Sequence, residues 1–279
     1  MLCQRKKAVL KVLDIKENGT LAVDSLEKLL SRRTKIVAIS HISNVLGLVN
    51  PLREIIGICH KKGVPVLVDG AQGIVHSPVD VQELDCDFYA FSGHKVYAAT
   101  GTGVLYGKKK WLEAMPPYMG GGEMIDTVTF EKTTYAPLPL KYEAGTQNFV
   151  AAACLAPALE MARKMAEEPA LQDHLRTMRD YLQEELQKID GLRLYGQPRD
   201  PEKKIPLFSF TVEGAFPADL AQILDKMGIA VRSGHMCAEP LLNRFGQTSM
   251  LRASLAPYNT LAECETFVTV LRRAVRMLR

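Results

Sequence analysis

The feature that most constrains this chain is a series of short, β-rich apolar runs, each ending on polar residues and each separated from the next by a helical stretch. The runs Lys35–Ser40 (KIVAIS), Pro65–Val68 (PVLV) and Phe88–Phe91 (FYAF) are short and almost continuously apolar. Strands of that kind are buried on both faces, and their alternation with helices predicts a mostly parallel sheet covered on both sides. Ala8–Ile15 reads as an earlier strand and Gly103–Tyr106 as a later one. After the turn Glu17-Asn18-Gly19, Asp24 with Glu27 three residues on has the spacing of a capping box. Pro51–Lys62 reads as a helix, with Asn50 as N-cap, Pro51 at the first position and Gly63 past the end.

The pattern changes at Phe149. Two long helical stretches, Phe149–Glu167 and Pro169–Lys188, lead into an alternating run Ile205–Val212 and a helix Pro217–Met227. Strands Ile229–Arg232 and Met250–Leu255 and a closing helix Leu261–Leu278 complete a small α+β unit. A chain of 279 residues, 47% of them hydrophobic, can bury two such cores. The predicted division is a large domain over 1–165 and a small one over 166–279.

Composition excludes several classes. The net charge is only +4, and the basic groups Arg5-Lys6-Lys7, Lys61-Lys62 and Lys108-Lys109-Lys110 are short, so they read as solvated element ends rather than a nucleic-acid surface. The six cysteines, at 3, 59, 86, 154, 237 and 264, show no metal spacing and fit a reducing compartment. Cys3, Cys59, Cys86, Cys154 and Cys264 read as small core residues. There is no apolar run of spanning length and no apolar signal core, so a cytoplasmic protein without membrane contact is expected.

In an open α/β sheet, ligands lie beyond the carboxyl ends of the strands. Here KIVAIS runs into His41-Ile42-Ser43-Asn44, PVLV into Asp69-Gly70-Ala71-Gln72, and FYAF into Ser92-Gly93-His94-Lys95. Alone, Asp69 is as readily a turn residue and Lys95 a surface lysine. Together they supply an acid for a pyridinium nitrogen, an amine for a Schiff base, and hydroxyl and imidazole groups for a phosphate. That set points to pyridoxal 5′-phosphate. Cys237, after Ser233-Gly234-His235, lies in a polar turn where a thiol with nearby positive charge becomes a nucleophile.

The segments HISNVLG (41–47), VLVDGAQ (66–72), DCDFYAFSGHK (85–95), YEAGTQN (142–148), VRSGHMCAEPL (231–241) and LRASLAPYNT (251–260) resemble the SUF-type cysteine desulfurases, in their order and spacing. These belong to the class V aminotransferase branch of fold-type I pyridoxal-phosphate enzymes. The resemblance implies an α/β fold: a large domain with a mostly parallel sheet, lacking the family's first strands by on the order of a hundred residues, and a small α+β C-terminal domain. It makes Lys95 the Schiff-base lysine and Asp69 the partner of the pyridine nitrogen. Gln72 would contact the cofactor's phenolic oxygen, Ser92 and His94 its phosphate, and Gly145 with Thr146 the phosphate in a neighbouring subunit. Asn44 and Arg252 would hold the substrate carboxylate, with Arg232 as a weaker candidate whose alternative is an interface salt bridge.

Cys237 would take sulfur from L-cysteine as a persulfide, release L-alanine, and pass the sulfur to an acceptor protein for iron–sulfur cluster assembly. The resemblance also implies a homodimer. Met236 stands where the family has a second histidine, and Ala98-Ala99 replace a Gly-Pro pair. Two other readings stay open in the sequence: a non-catalytic remnant that dimerises or binds partners, and another class V lyase such as one acting on selenocysteine.

Overall fold

The computed structural model describes all 279 residues. Its first part runs α1 (Leu2–Lys6), α2 (Leu26–Leu29), β1 (Val37–Ser40), α3 (Leu52–Lys61), β2 (Val66–Asp69), α4 (Gly73–His76), α5 (Val81–Leu84), β3 (Phe88–Ser92), β4 (Gly103–Gly107) and α6 (Lys109–Ala114). The sheet has the order β1-β2-β3-β4; β1, β2 and β3 are parallel and β4 is antiparallel to β3. Leu52, Ile55, Ile56 and Cys59 recur at helical spacing along α3 and pack with Val66, Val68 and Tyr89 of the strands.

Three local expectations fail for physical reasons. Ala8–Ile15 has a strand's composition but no ladder partner; Val9, Leu10 and Val12 are exposed and only Ile15 bridges, to Leu21. Asp24 caps nothing: Val23–Ser25 forms a 3₁₀ turn ahead of α2, and no side-chain cap bond is made at either. Asn50 turns its amide to the Ser40 carbonyl at 2.8 Å, and Pro51 occupies the N-cap position of α3. Gly63 does close that helix, at φ 68. The basic groups at element ends meet acids: Lys62 pairs with Glu27 at 2.8 Å and Lys108 with Asp85.

A solvent-facing hairpin follows, β5 (Ile125–Val128) with β6 (Thr133–Tyr135). Then come α7 (Phe149–Glu167), opened by the Asn148 side chain accepting from the Ala151 N–H, and α8 (Pro169–Gln187). The last part is β7 (Leu192–Tyr195), β8 (Leu207–Val212), α9 (Pro217–Lys226), β9 (Arg232–Gly234), α10 (Glu239–Arg244), β10 (Met250–Ser254) and α11 (Leu261–Leu278). Its sheet is antiparallel, in the order β7-β8-β10-β9. β9 begins where the sequence places its end, because pairing with β10 starts only at Arg232 and Ile229 packs against the helical layer instead.

Alternation along β8 divides the two faces of this sheet. Phe208 and Phe210 point into a core with Met178, Leu182 and Leu186 of α8, Leu220 and Leu224 of α9, and Val268 and Leu271 of α11. The opposite face receives the loop that follows β1: Val45, Leu46 and Leu48 pack with Tyr195, Met236 and Met250, and Ile42 packs with Ile205 and Leu207. One loop of the first sheet is thus part of the second sheet's packing. No helix is long and apolar enough to cross a membrane.

Candidate active site

The ends of the parallel strands lie side by side. Ser40 is in register with Asp69, and Asp69 with Ala90, so Ser92 stands two residues further along β3. Asp69 is exposed, and its Oδ1 accepts from the Ala71 N–H at 3.0 Å, which turns the chain towards Gln72 at the start of α4. Beneath that turn is a feature the sequence reading missed. The His41 Nδ1 lies 3.0 Å from the Tyr89 hydroxyl, with the rings edge-on. A Cβ on Gly70 would fall 1.9 Å from the Tyr89 ring, and one on Gly73 2.1 Å from His41 Nδ1. Both glycines are required by close approach to the two rings. Burial pulls the His41 imidazole below its usual pKa.

Lys95 belongs to a 3₁₀ turn, Gly93–Val96, set by buried Gly93 and Val96 and closed by Tyr97 at φ 67. His94 and Lys95 are exposed on this turn, and Lys95 makes no ion pair. α7 packs against the same turn, with Asn148 near Gly101. Gly145, at φ 76, and exposed Thr146 immediately precede α7.

The second sheet delivers the remaining groups. Arg252 lies on β10 directly opposite Arg232 on β9. Its Nη1 donates to the Asn44 carbonyl at 2.7 Å, while its Nε is buried without a partner. Burial and the Arg232 charge pull the Arg252 guanidinium below its ordinary value, and a Cys237 thiolate opposes that shift. The Asn44 amide donates to the Met236 carbonyl at 2.7 Å. Met236, buried at φ 51, and Cys237, exposed at φ 60, form two consecutive left-handed residues that hold the free thiol outward. Asn44, Arg252, Arg232 and Cys237 therefore come together, across 208 residues of sequence for the Asn44–Arg252 contact. The expectation for the other cysteines holds for Cys59, Cys86 and Cys264, which are buried; Cys154 is exposed on α7 and Cys3 half-exposed.

The family model for class V aminotransferases matches residues 1–267. The chain belongs to that family. Among its class V relatives, a cysteine desulfurase of Cronobacter sakazakii is 46% identical over 279 residues, which is all of this chain and 68% of the relative. One from Synechococcus elongatus is 46% identical over 266 residues, covering 42% of that protein. Among solved structures, the Escherichia coli cysteine desulfurase CsdA matches with a TM-score of 0.92 at 39% identity, over 100% of this chain and 68% of that one. The apo cysteine desulfurase of Thermococcus onnurineus matches with a TM-score of 0.92 at 33% identity. The chain thus spans about two thirds of the length of most of these proteins.

Class V enzymes use pyridoxal phosphate, and the donor set of this class V chain fits it. An exposed lysine without an ion pair can condense with an aldehyde, and an exposed carboxylate at the adjacent strand end can pair with a pyridinium N–H. The orphaned Arg252 Nε offers a donor to a substrate carboxylate.

Proposed function

We propose that this chain acts as a pyridoxal-phosphate-dependent cysteine desulfurase, converting L-cysteine to L-alanine and leaving its sulfur as a persulfide on Cys237. The observation that carries the reading is the outward thiol of Cys237 on a loop tied to Asn44, beside an Arg252 whose buried Nε has no partner. The cofactor, when bound, activates the amino acid by condensing with its amine and taking up the electrons released at the α-carbon.

Lys95 would supply the amine that holds it and would move the proton at the substrate's α-carbon. Asp69 would accept from the pyridine N–H, Gln72 would lie beside the phenolic oxygen, and Ser92 and His94 would donate to the phosphate. Gly145 and Thr146 serve the phosphate of a second subunit's site. Arg252 forks onto the substrate carboxylate, aided by the Asn44 amide and by Arg232 at the rim. The Cys237 thiolate attacks the substrate sulfur; the S–S bond forms as the C–S bond breaks, with its electron pair leaving on the carbon fragment, which is protonated to alanine. The persulfide then passes to a thiol of an acceptor protein in iron–sulfur assembly. Six free cysteines support action in the reducing cytoplasm. The exposed Tyr118, Phe130, Phe149 and Val150 support a homodimer.

The test is to purify the chain with pyridoxal phosphate and measure sulfide and alanine from cysteine, with mass spectrometry of the Cys237 peptide for one added sulfur atom. Cys237→Ala and Lys95→Ala are expected to abolish both products. Desulfuration that survives in either variant overturns the reading.

A further inference from the structure

The loop after β1 offers four consecutive carbonyls to the second sheet, and each finds a separate donor there. The Asn44 carbonyl accepts from Arg252 Nη1 at 2.7 Å, Val45 from the Ser209 hydroxyl, Leu46 from Lys204 Nζ at 2.9 Å, and Gly47 from the Ile205 N–H at 2.9 Å. Lys204 makes a second bond, to the Gly196 carbonyl at 2.8 Å, so it ties the loop to the β7–β8 connection. Both Lys204 and Ser209 are buried, at 5% and 0% exposure. Neither Lys204 nor Ser209 hydrogen-bonds to the strand ends that carry Asp69 and Lys95, although Lys204 borders the cavity that Gln72, His94 and Lys95 also line, and Lys204 forms no ion pair that would explain its burial as a charge pair.

The loop itself is preset to receive these donors. Ser43 Oγ accepts from the Leu46 N–H at 3.0 Å, and Gly47 is left-handed at φ 67, where a Cβ would come within 3.0 Å of the Leu207 carbonyl. What leaves the loop is the Asn44 amide, 2.7 Å from the Met236 carbonyl. A continuous chain of hydrogen bonds therefore runs from Lys204 and Ser209, through the turn 44–47, to the residue before Cys237. A buried carbonyl that loses its donor is left unsatisfied, which drives the turn to seek another position.

We propose that Lys204, assisted by Ser209, is a positioning residue for the reaction: it sets the Asn44 turn and, through Asn44, both the Arg252 fork and the Cys237 loop. Its kinetic consequence rests on the desulfurase reading, whereas its structural consequence does not. Asn44 and Arg252 serve substrate binding in that reading, so loosening them raises KM more than it lowers kcat.

The experiment compares wild type, Lys204→Met and Ser209→Ala. Lys204→Met keeps the length of the side chain and removes the donor; Ser209→Ala removes a smaller donor and serves if the first variant does not fold. Hydrogen exchange read by mass spectrometry, on the chain without cofactor, is expected to quicken about tenfold in segments 43–49 and 232–238 of Lys204→Met, with 52–61 unchanged. With pyridoxal phosphate, KM for cysteine is expected to rise about tenfold and kcat to change less than about threefold, with Ser209→Ala smaller in the same direction. Unaltered exchange at 232–238, or exchange that quickens equally at 52–61, overturns the proposal. If wild type yields no sulfide, the desulfurase reading fails and the exchange comparison still decides the role of Lys204.

Discussion

Arg252 holds a guanidinium whose Nη1 is committed to Asn44, whose Nε is buried and unpaired, and whose cross-strand neighbour Arg232 repels it. A carboxylate docking there would satisfy the orphaned donor and relieve the repulsion at once. Arg252→Lys keeps the charge but loses the planar fork, so it cannot serve Asn44 and a carboxylate together. Its expected effect is a rise of about 10–100-fold in KM for cysteine, from a loss of about 1.5–3 kcal/mol, measured by steady-state sulfide release. Asp69, Lys95 and Cys237 stand out in the sequence as reactive types at turns, whereas Arg252 is singled out only through the family resemblance. The His41–Tyr89 pair is not legible in sequence, since its contact joins residues 48 apart and gains meaning only from the two glycines packed on it.

Among the elements, helices follow the sequence closely where their periodicity is long: α7 and α11 have the expected bounds and α8 stops one residue early, at Gln187. Strands depend on a partner, which is why β9 is displaced and Ala8–Ile15 remains unpaired despite suitable residues. The exposed β5–β6 hairpin and the short helices carry too little apolar periodicity to be read. α4 illustrates what a short element can impose. It ends at His76, which is half-buried at the helix end and whose pKa falls to about 4 through desolvation. The folded pKa lies below the unfolded value of about 6.5, so between those values the unfolded chain binds the proton more readily. Stability is therefore lost as pH falls from about 6.5 towards 4. His76→Leu is expected to flatten this acid loss, seen as a smaller drop in the urea midpoint between pH 7 and 4.5 than in wild type.

At the scale of the molecule, the sequence separates two sheets but not the seam that joins them. Val45, Leu46 and Leu48 fill the open face of the second sheet, a destination no local pattern encodes. Lys204 sits in that seam, and burial with the nearby Arg179 charge brings its ammonium down to about 7. Because an unfolded lysine titrates near about 10.4, the unfolded chain retains a proton that the folded chain releases above about 7. The cost of burying the charge is full below that pH and fades as pH rises, so this group makes stability increase with pH. The seam contacts persist through the change, since a neutral amine still has two N–H groups for the Leu46 and Gly196 carbonyls. Cys59, Cys86 and Cys264 act oppositely at higher pH, because burial lifts each thiol to about 11 and folding then opposes their ionisation. The window that isolates Lys204 is accordingly pH 7 to 8.5. Across it, the urea midpoint of wild type is expected to gain on that of Lys204→Met; parallel midpoints would show that the Lys204 charge carries no such cost.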